Sequence, residues 1–476
     1  MTDQAEESTD SGERKLYPWV IAGVIVLLML AFVAYRGALL VLLKNEKAAL
    51  RKKGYPVTLK ELDESYTRVP RDENAALVYQ EAFKARVQPA KEAEALLPIV
   101  GEAEEPPIGE GLSGEALAAA RQHLSDNQRT LKLLHEAAGM DRSRYPVDFT
   151  QGLATPMVHG SKLRHAARLL RLEAVVHATD GESGQAAQSI IDILQSAGSL
   201  KNEPSLISQF VRMACQFEAI ESFRQTAALT RMSRGELKRL AKAFKRAQDG
   251  AGRSMKRGMV ASVTTILSID DKDLRGFVGS GGLRSTTAGH LEGAWHITSF
   301  LLYELSGLAD MDRMEIAGYV ERVGGIFDRP PSGRLAAARS IEKNLRPSGT
   351  SAIGSSLHVL RGLALPAMSQ TVEAHLQSLA RLRSARGATA VERFRLDHGR
   401  LPKDLSELTS DYLDSVPTDP FDVKPLRYRA TEKGYVIYSV GEDGKDDGGK
   451  SGDRHVQPDV TFTVKTPDRE GTSRGD

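Results

Sequence analysis

From Trp19 to Tyr35 the chain is almost wholly apolar, and Leu39 to Leu43 carries the run past Arg36-Gly37. About twenty apolar residues cross the hydrocarbon core of a bilayer as a helix, so this pattern predicts one transmembrane anchor over residues 17–43. Tyr17, Trp19 and Tyr35 suit the two interfaces, where aromatic rings sit at headgroup level, and Arg36 snorkels to the far boundary. A cleaved signal peptide is the alternative. The run is too long for one, and no small-residue cleavage pattern precedes Lys44.

Behind the anchor the apolar positions become spaced. A juxtamembrane helix from Lys44, a turn at Gly54-Tyr55-Pro56 and a helix near Asn74 to Val87 lead to a loop rich in Glu, Pro and Gly, Gly101 to Gly114. Leu163 to Ala178, Ser183 to Ala197 and Ser205 to Phe223 read as helices, with Ser183 and Ser205 as caps and Asp180-Gly181 and Asn202-Glu203-Pro204 as punctuation. Short connections of this kind make antiparallel neighbours, in a bundle or a solenoid of helix pairs. No second copy at a fixed period is present, so no repeat family is assigned.

Near the C-terminal end Val372, Leu376, Leu379, Val391 and Phe394 recur largely at helical intervals, and Gly399 and Pro402 stop that helix. Leu426 to Ala430 and Tyr435 to Val440 alternate around Lys433-Gly434, the pattern of a β-hairpin. The fold class expected is mainly α. It has an N-terminal transmembrane helix, a large helical domain (bundle or solenoid-like), and a small C-terminal α+β head with an antiparallel hairpin. The expected boundaries are a polar tail over 1–16, the anchor over 17–43, the helical domain over 44–365, the head over 366–464 and a disordered tail over 465–476.

Three phrases in the head occur in order: Phe394-Arg395-Leu396-Asp397-His398-Gly399-Arg400-Leu401-Pro402, then Pro417-Thr418-Asp419-Pro420-Phe421, then Tyr435-Val436-Ile437-Tyr438-Ser439-Val440-Gly441-Glu442-Asp443-Gly444. The segment resembles the head of the major pseudopilin family of type II secretion systems. That family carries "Y/F-R-x-D-x-G-x-Y/L-P", "P-x-D-P-W/F" and "Y-x-x-Y-S-x-G-x-D-G" at corresponding places. The resemblance implies a small α+β head outside the cytoplasm, a calcium ion in the loop after the hairpin, and Asp443 as one of its ligands. Two departures stand beside it. The family's "F-T-L-x-E" opening does not precede Val20, and its "D-A-D-I" phrase is here Gln457-Pro458-Asp459-Val460.

The loop also makes a chemical case of its own. Asp443, Asp446, Asp447, Asp453 and Asp459 lie in a run with Gly444, Gly448, Gly449 and Gly452. Crowded carboxylates repel unless a cation or solvent neutralises them, and Ca²⁺ takes roughly six to eight hard oxygen ligands. Asp443, Asp446, Asp447 and Asp459 are the candidate ligands. A solvated acidic loop holding no ion is the alternative, and the spacing does not follow the helix-loop-helix calcium pattern.

Composition narrows the remaining classes. A net charge of +2 over 476 residues gives no electrostatic case for nucleic acid. Cys215, the single cysteine, excludes an intrachain disulfide framework, and its apolar neighbours point to a buried structural thiol. Residues 231–257 are rich in Lys and Arg, as a solvated helix face or a surface for anionic lipid or an acidic partner. Gly279-Ser280-Gly281-Gly282 lacks the Lys-Ser/Thr ending of a phosphate cradle. His290 and His296 are six apart, off a shared helical face, and Gly349 to Gly354 is not a nucleophile elbow. Glu373 with His375 and Asp397 with His398 read as surface pairs. No catalytic constellation emerges, so a non-enzymatic protein is expected, with an enzyme site in the helical domain as the lesser alternative. Lys44, Lys47, Arg51, Lys52 and Lys53 after the anchor favour that side as cytoplasmic, whereas the head argues for the reverse. The reading adopted is a single-pass membrane scaffold or docking protein in an envelope assembly, with protein partners, no identified small-molecule substrate and its bulk outside the cytoplasm. A tethered helical adaptor unrelated to secretion is the rival.

Overall fold

A computed structural model of the chain describes residues 18–270, 303, 306–345, 368–450 and 459–465. It is mostly helical. The apolar run forms α1 (Pro18–Lys52), a single unbroken helix long and apolar enough to cross a membrane. Its first half stands free, with Trp19 83% exposed, but its second half is docked. Tyr35 donates to Met311 Sδ at 3.0 Å, Arg36 meets Asp310 at 2.9 Å, and Lys53 meets Glu321 at 2.6 Å. Leu39, Leu43 and Leu50 are buried. One side of the last apolar turns, through Leu39 and Leu43, therefore packs on the body.

Gly54 turns the chain, and α2 (Leu59–Ser65) starts at Thr58, whose hydroxyl accepts from Glu61 N. Asn74 caps α3 (Ala75–Ala85). After α4 (Lys91–Glu94) and the predicted loop come α5 (Gly114–Asp126), α6 (Gln128–Ala138), α7 (Val158–Thr179), α8 (Ser183–Gly198) and α9 (Leu206–Leu229). Helices α7, α8 and α9 pack on one another, as their short connections require. Ser205 caps α9 as expected. Ser183 does not cap α8: it is the first helical residue, and its hydroxyl donates to Glu236 at 3.0 Å. Then follow α10 (Arg234–Asp249), α11 (Ala251–Leu267), α12 (Leu308–Ile326), α13 (Pro331–Leu345) and α14 (Met368–His398). Cys215 lies fully buried in α9, and burial pushes its thiol up to about 12.

The hairpin is β1 (Arg427–Thr431) and β2 (Gly434–Ser439), and β3 (Val460–Lys465) adds to β2, giving an antiparallel order β1-β2-β3. Gly434 has φ +141°, and a Cβ there would meet Val464 O at 2.0 Å, so only glycine lets the two strands approach. Tyr435, Ile437, Phe462 and Val464 share the inner face, in register Tyr435↔Val464 and Ile437↔Phe462. That face packs on α14, and Phe462 stacks on Phe223 of α9 at 5.9 Å.

α14 ends where the sequence predicts, with Gly399 at φ +66° and its N–H bonded to Arg395 O. Both of its halves are built into cores. Met368, Val372 and Leu376 belong to one core with α11, α12 and the end of α1, whereas Leu382, Ala388, Val391 and Phe394 belong to another with α7–α10 and the sheet. Helix α14 thus contributes to both cores and links the end of α1 to the sheet. His375, expected on the surface beside Glu373, is buried, T-stacked on Phe327 at 5.6 Å and bonded to Arg334 at 3.1 Å. Burial and the charges of Arg334, Arg212 and Arg383 push it down to about 3.

Candidate metal centre

The second phrase of the head, Pro417 to Phe421, builds the platform for the loop. Asp419 is fully buried and accepts four hydrogen bonds: from Phe421 N at 2.9 Å, Ser439 Oγ at 2.8 Å, Val440 N at 2.9 Å and Arg427 Nη1 at 2.7 Å. A buried carboxylate with its lone pairs filled by charged and backbone donors is stable where a bare one is not. Asp419 therefore locks the turn onto the end of β2, making the second and third phrases one unit. Sequence reading placed Asp419 in a turn but did not find this role, since its partners are up to 21 residues away.

Arg427 also holds Asp422 and approaches Asp446 at 3.8 Å. Asp446 Oδ1 accepts from Tyr438 Oη and from Gly448 N, both at 3.0 Å. Gly448 and Gly449 have φ +74° and +73°, and a Cβ on Gly449 would meet the Tyr438 ring at 2.9 Å, so the loop lies on Tyr438 only as glycine. Gly449 N donates to Asp459 Oδ2 at 2.8 Å, at the entrance to β3. Asp459 is 3% exposed, and its Oδ1 has no hydrogen-bond partner. Burial first, then the charges of Asp446 and Asp447, raise its pKa against the lowering effect of the Gly449 N–H.

The predicted ligands thus divide. Asp446, Asp447 and Asp459 are electrostatically coupled in one neighbourhood. Asp443 is exposed, and its Oδ1 is taken by Lys445 N at 3.0 Å in a local turn. Asp453 lies outside the described residues, as do Gly279 to Gly282, His290, His296 and Gly349 to Gly354. Among the described residues no three His, Cys, Asp or Glu side chains converge as a ready-made metal site. Asp459 nevertheless offers a buried, unpaired carboxylate oxygen, and the charges of Asp446 and Asp447 act on it.

Two polar clusters were invisible in the sequence because each is gathered from several elements. His135 of α6 sits between Asp192 of α8 at 2.6 Å and Glu173 of α7 at 3.2 Å, which raise its pKa to about 10. Glu203 is fully buried and takes bonds from Ser208 Oγ at 2.5 Å, His159 Nε2 at 2.9 Å and Tyr66 Oη at 3.1 Å. In both, every hydrogen-bonding atom of the histidine or carboxylate named here faces another protein group, the arrangement of a structural network. No family model, curated protein or solved structure matches the chain.

Proposed function

We propose that the chain is a single-pass membrane scaffold of an envelope assembly, with its bulk outside the cytoplasm and a pseudopilin-like head stiffened by calcium. The observation that carries this reading is the continuity of α1. An apolar segment suited to a bilayer passes without a break into a helix whose far end is built into the body through Leu43, Leu50 and the Arg36–Asp310 ion pair. A flexible tether would leave the body free to tumble. A helix docked this way holds it at a fixed attitude to the membrane, which is what a docking platform needs.

Two of the cations after the apolar run, which would otherwise argue for a cytoplasmic body, are paired within the body. Arg51 pairs with Glu61 at 2.7 Å, and Lys53 pairs with Glu321. In the head, Asp446, Asp447 and Asp459 would hold calcium, and the ion would neutralise acids that otherwise repel across the β2–β3 connection. The resemblance to secretion pseudopilins supplies the class of assembly. Affinity purification of the full chain from detergent-solubilised membranes tests the reading. Components of an envelope secretion machine are expected to co-purify; partners drawn only from the cytosol would contradict it.

A further inference from the structure

The basic stretch after residue 231 is more than a solvated face. A capping box between Ser233 and Glu236 starts α10, which buries Leu237, Leu240, Phe244 and Ala247. The opposite side, with the first turns of α11 and the edge of α8, walls a groove of about 890 Å³. Two of its cations are answered: Lys245 by Asp249 at 2.6 Å and Arg246 by Asp141 at 3.5 Å. Lys201, Arg239, Lys242, Arg253 and Arg257 also line it, and among the described residues none of them has a carboxylate within ion-pair distance.

A second cavity, about 350 Å³, shares Gln195, Lys201, Ala243, Arg246 and Gly250 with the groove and reaches inward to Tyr79, Ser143 and Arg212. Arg212 is 5% exposed. One of its amino groups donates to Ala247 O at 3.1 Å, its Nε has no partner, and no carboxylate pairs with it. The hydroxyls of Tyr79 and Ser143 are also buried without a hydrogen-bond partner. A buried guanidinium lacking a counter-charge is strongly unfavourable, and each unmet buried donor adds to the cost. Three such groups lining one cavity, at the inner end of a groove with five unanswered cations, call for an anion.

We propose that the Arg212 cavity binds a small phosphate-bearing molecule, with the phosphate held by Arg212, Tyr79 and Ser143 and the remainder along the basic groove. Phosphate suits these groups better than carboxylate. It carries close to two negative charges and three acceptor oxygens, matching a guanidinium fork with two hydroxyl donors.

The test titrates the full chain in detergent with pyrophosphate at constant ionic strength, following heat of binding and thermal unfolding. Saturable binding is expected, weakened about 30-fold or more by Arg212→Gln, since truncating one member of a buried charge pair costs at least that factor. This variant removes an uncompensated buried charge, so it is expected to fold. Tyr79→Phe, which keeps the ring, provides a second reading and should weaken binding by a smaller factor. Vesicles containing phosphatidic acid, against phosphatidylcholine controls, separate the sources: competition with pyrophosphate identifies a lipid headgroup, and no competition a soluble phosphate. Absence of saturable binding would overturn the proposal. So would equal affinity in the native chain and both variants, which would leave only diffuse attraction to the groove.

Discussion

At Asp459 two demands conflict. Burial disfavours a carboxylate and so do the charges of Asp446 and Asp447, yet the side chain is held in place by Gly449 N–H with its other oxygen unmet. On the proposed reading a bound cation would resolve this conflict. With free calcium about 100-fold above its dissociation constant, binding to the native state alone contributes about 2.7 kcal/mol, or about 3 °C for a chain of this length. The melting temperature of the full chain should rise by that amount between chelator and calcium. Asp459→Asn should abolish the rise without lowering the chelated melting point, and Asp443→Ala should leave it intact. An identical melting temperature in chelator and millimolar calcium would reduce the loop to a solvated acidic turn. The sequence showed the acids and the glycines that let them curl. It did not show which acid is buried, because that depends on where β3 joins β2.

Among the elements, α1 and α14 carry the longest-range consequences. An unbroken apolar run located the first and helical spacing the second, along with the hairpin and the stop at Gly399, since capping glycines and alternation are local signals. Their tertiary surroundings were not legible. Val372 and Phe394 announce one apolar face on α14, but Ser384, Thr389 and Glu392 are buried as well because helices and sheet cover it from both sides. β3 escaped notice although Val460, Phe462 and Val464 alternate with polar residues, because the acidic run before it reads as a loop. Along α1, exposed leucines such as Leu40 and leucines buried against the body such as Leu39 are the same residue type. Truncation distinguishes them. A chain beginning at Tyr35 should be soluble and folded, keeping Arg36 on Asp310 and Leu39 and Leu43 in place. One beginning at Lys44 loses these, and a single buried leucine is worth about 2–5 kcal/mol. It should melt several degrees lower; equal melting of the two fragments would show that the docked turns contribute nothing.

For the whole molecule, the anchor's base, the helical body and the sheet form a mechanically continuous unit. Leu43 and Leu50 pack with α11, α12 and the start of α14, and the rest of α14 carries the sheet. The sheet is therefore coupled to α1 through packed side chains, and on the proposed reading calcium at the β2–β3 connection would tighten the distal end of that path. The scheme has a meaning only if head and membrane are arranged as proposed, with the head on the side where calcium is plentiful and an envelope assembly can be reached. The most direct measurement is a topology assay on the intact chain, with a reporter that becomes active only outside the cytoplasm fused after Asp476, and a cytoplasm-dependent reporter fused at the same point as its counterpart. Activity of the first and silence of the second is the predicted result. Activity of the cytoplasm-dependent reporter alone would place the head inside the cell and contradict the account.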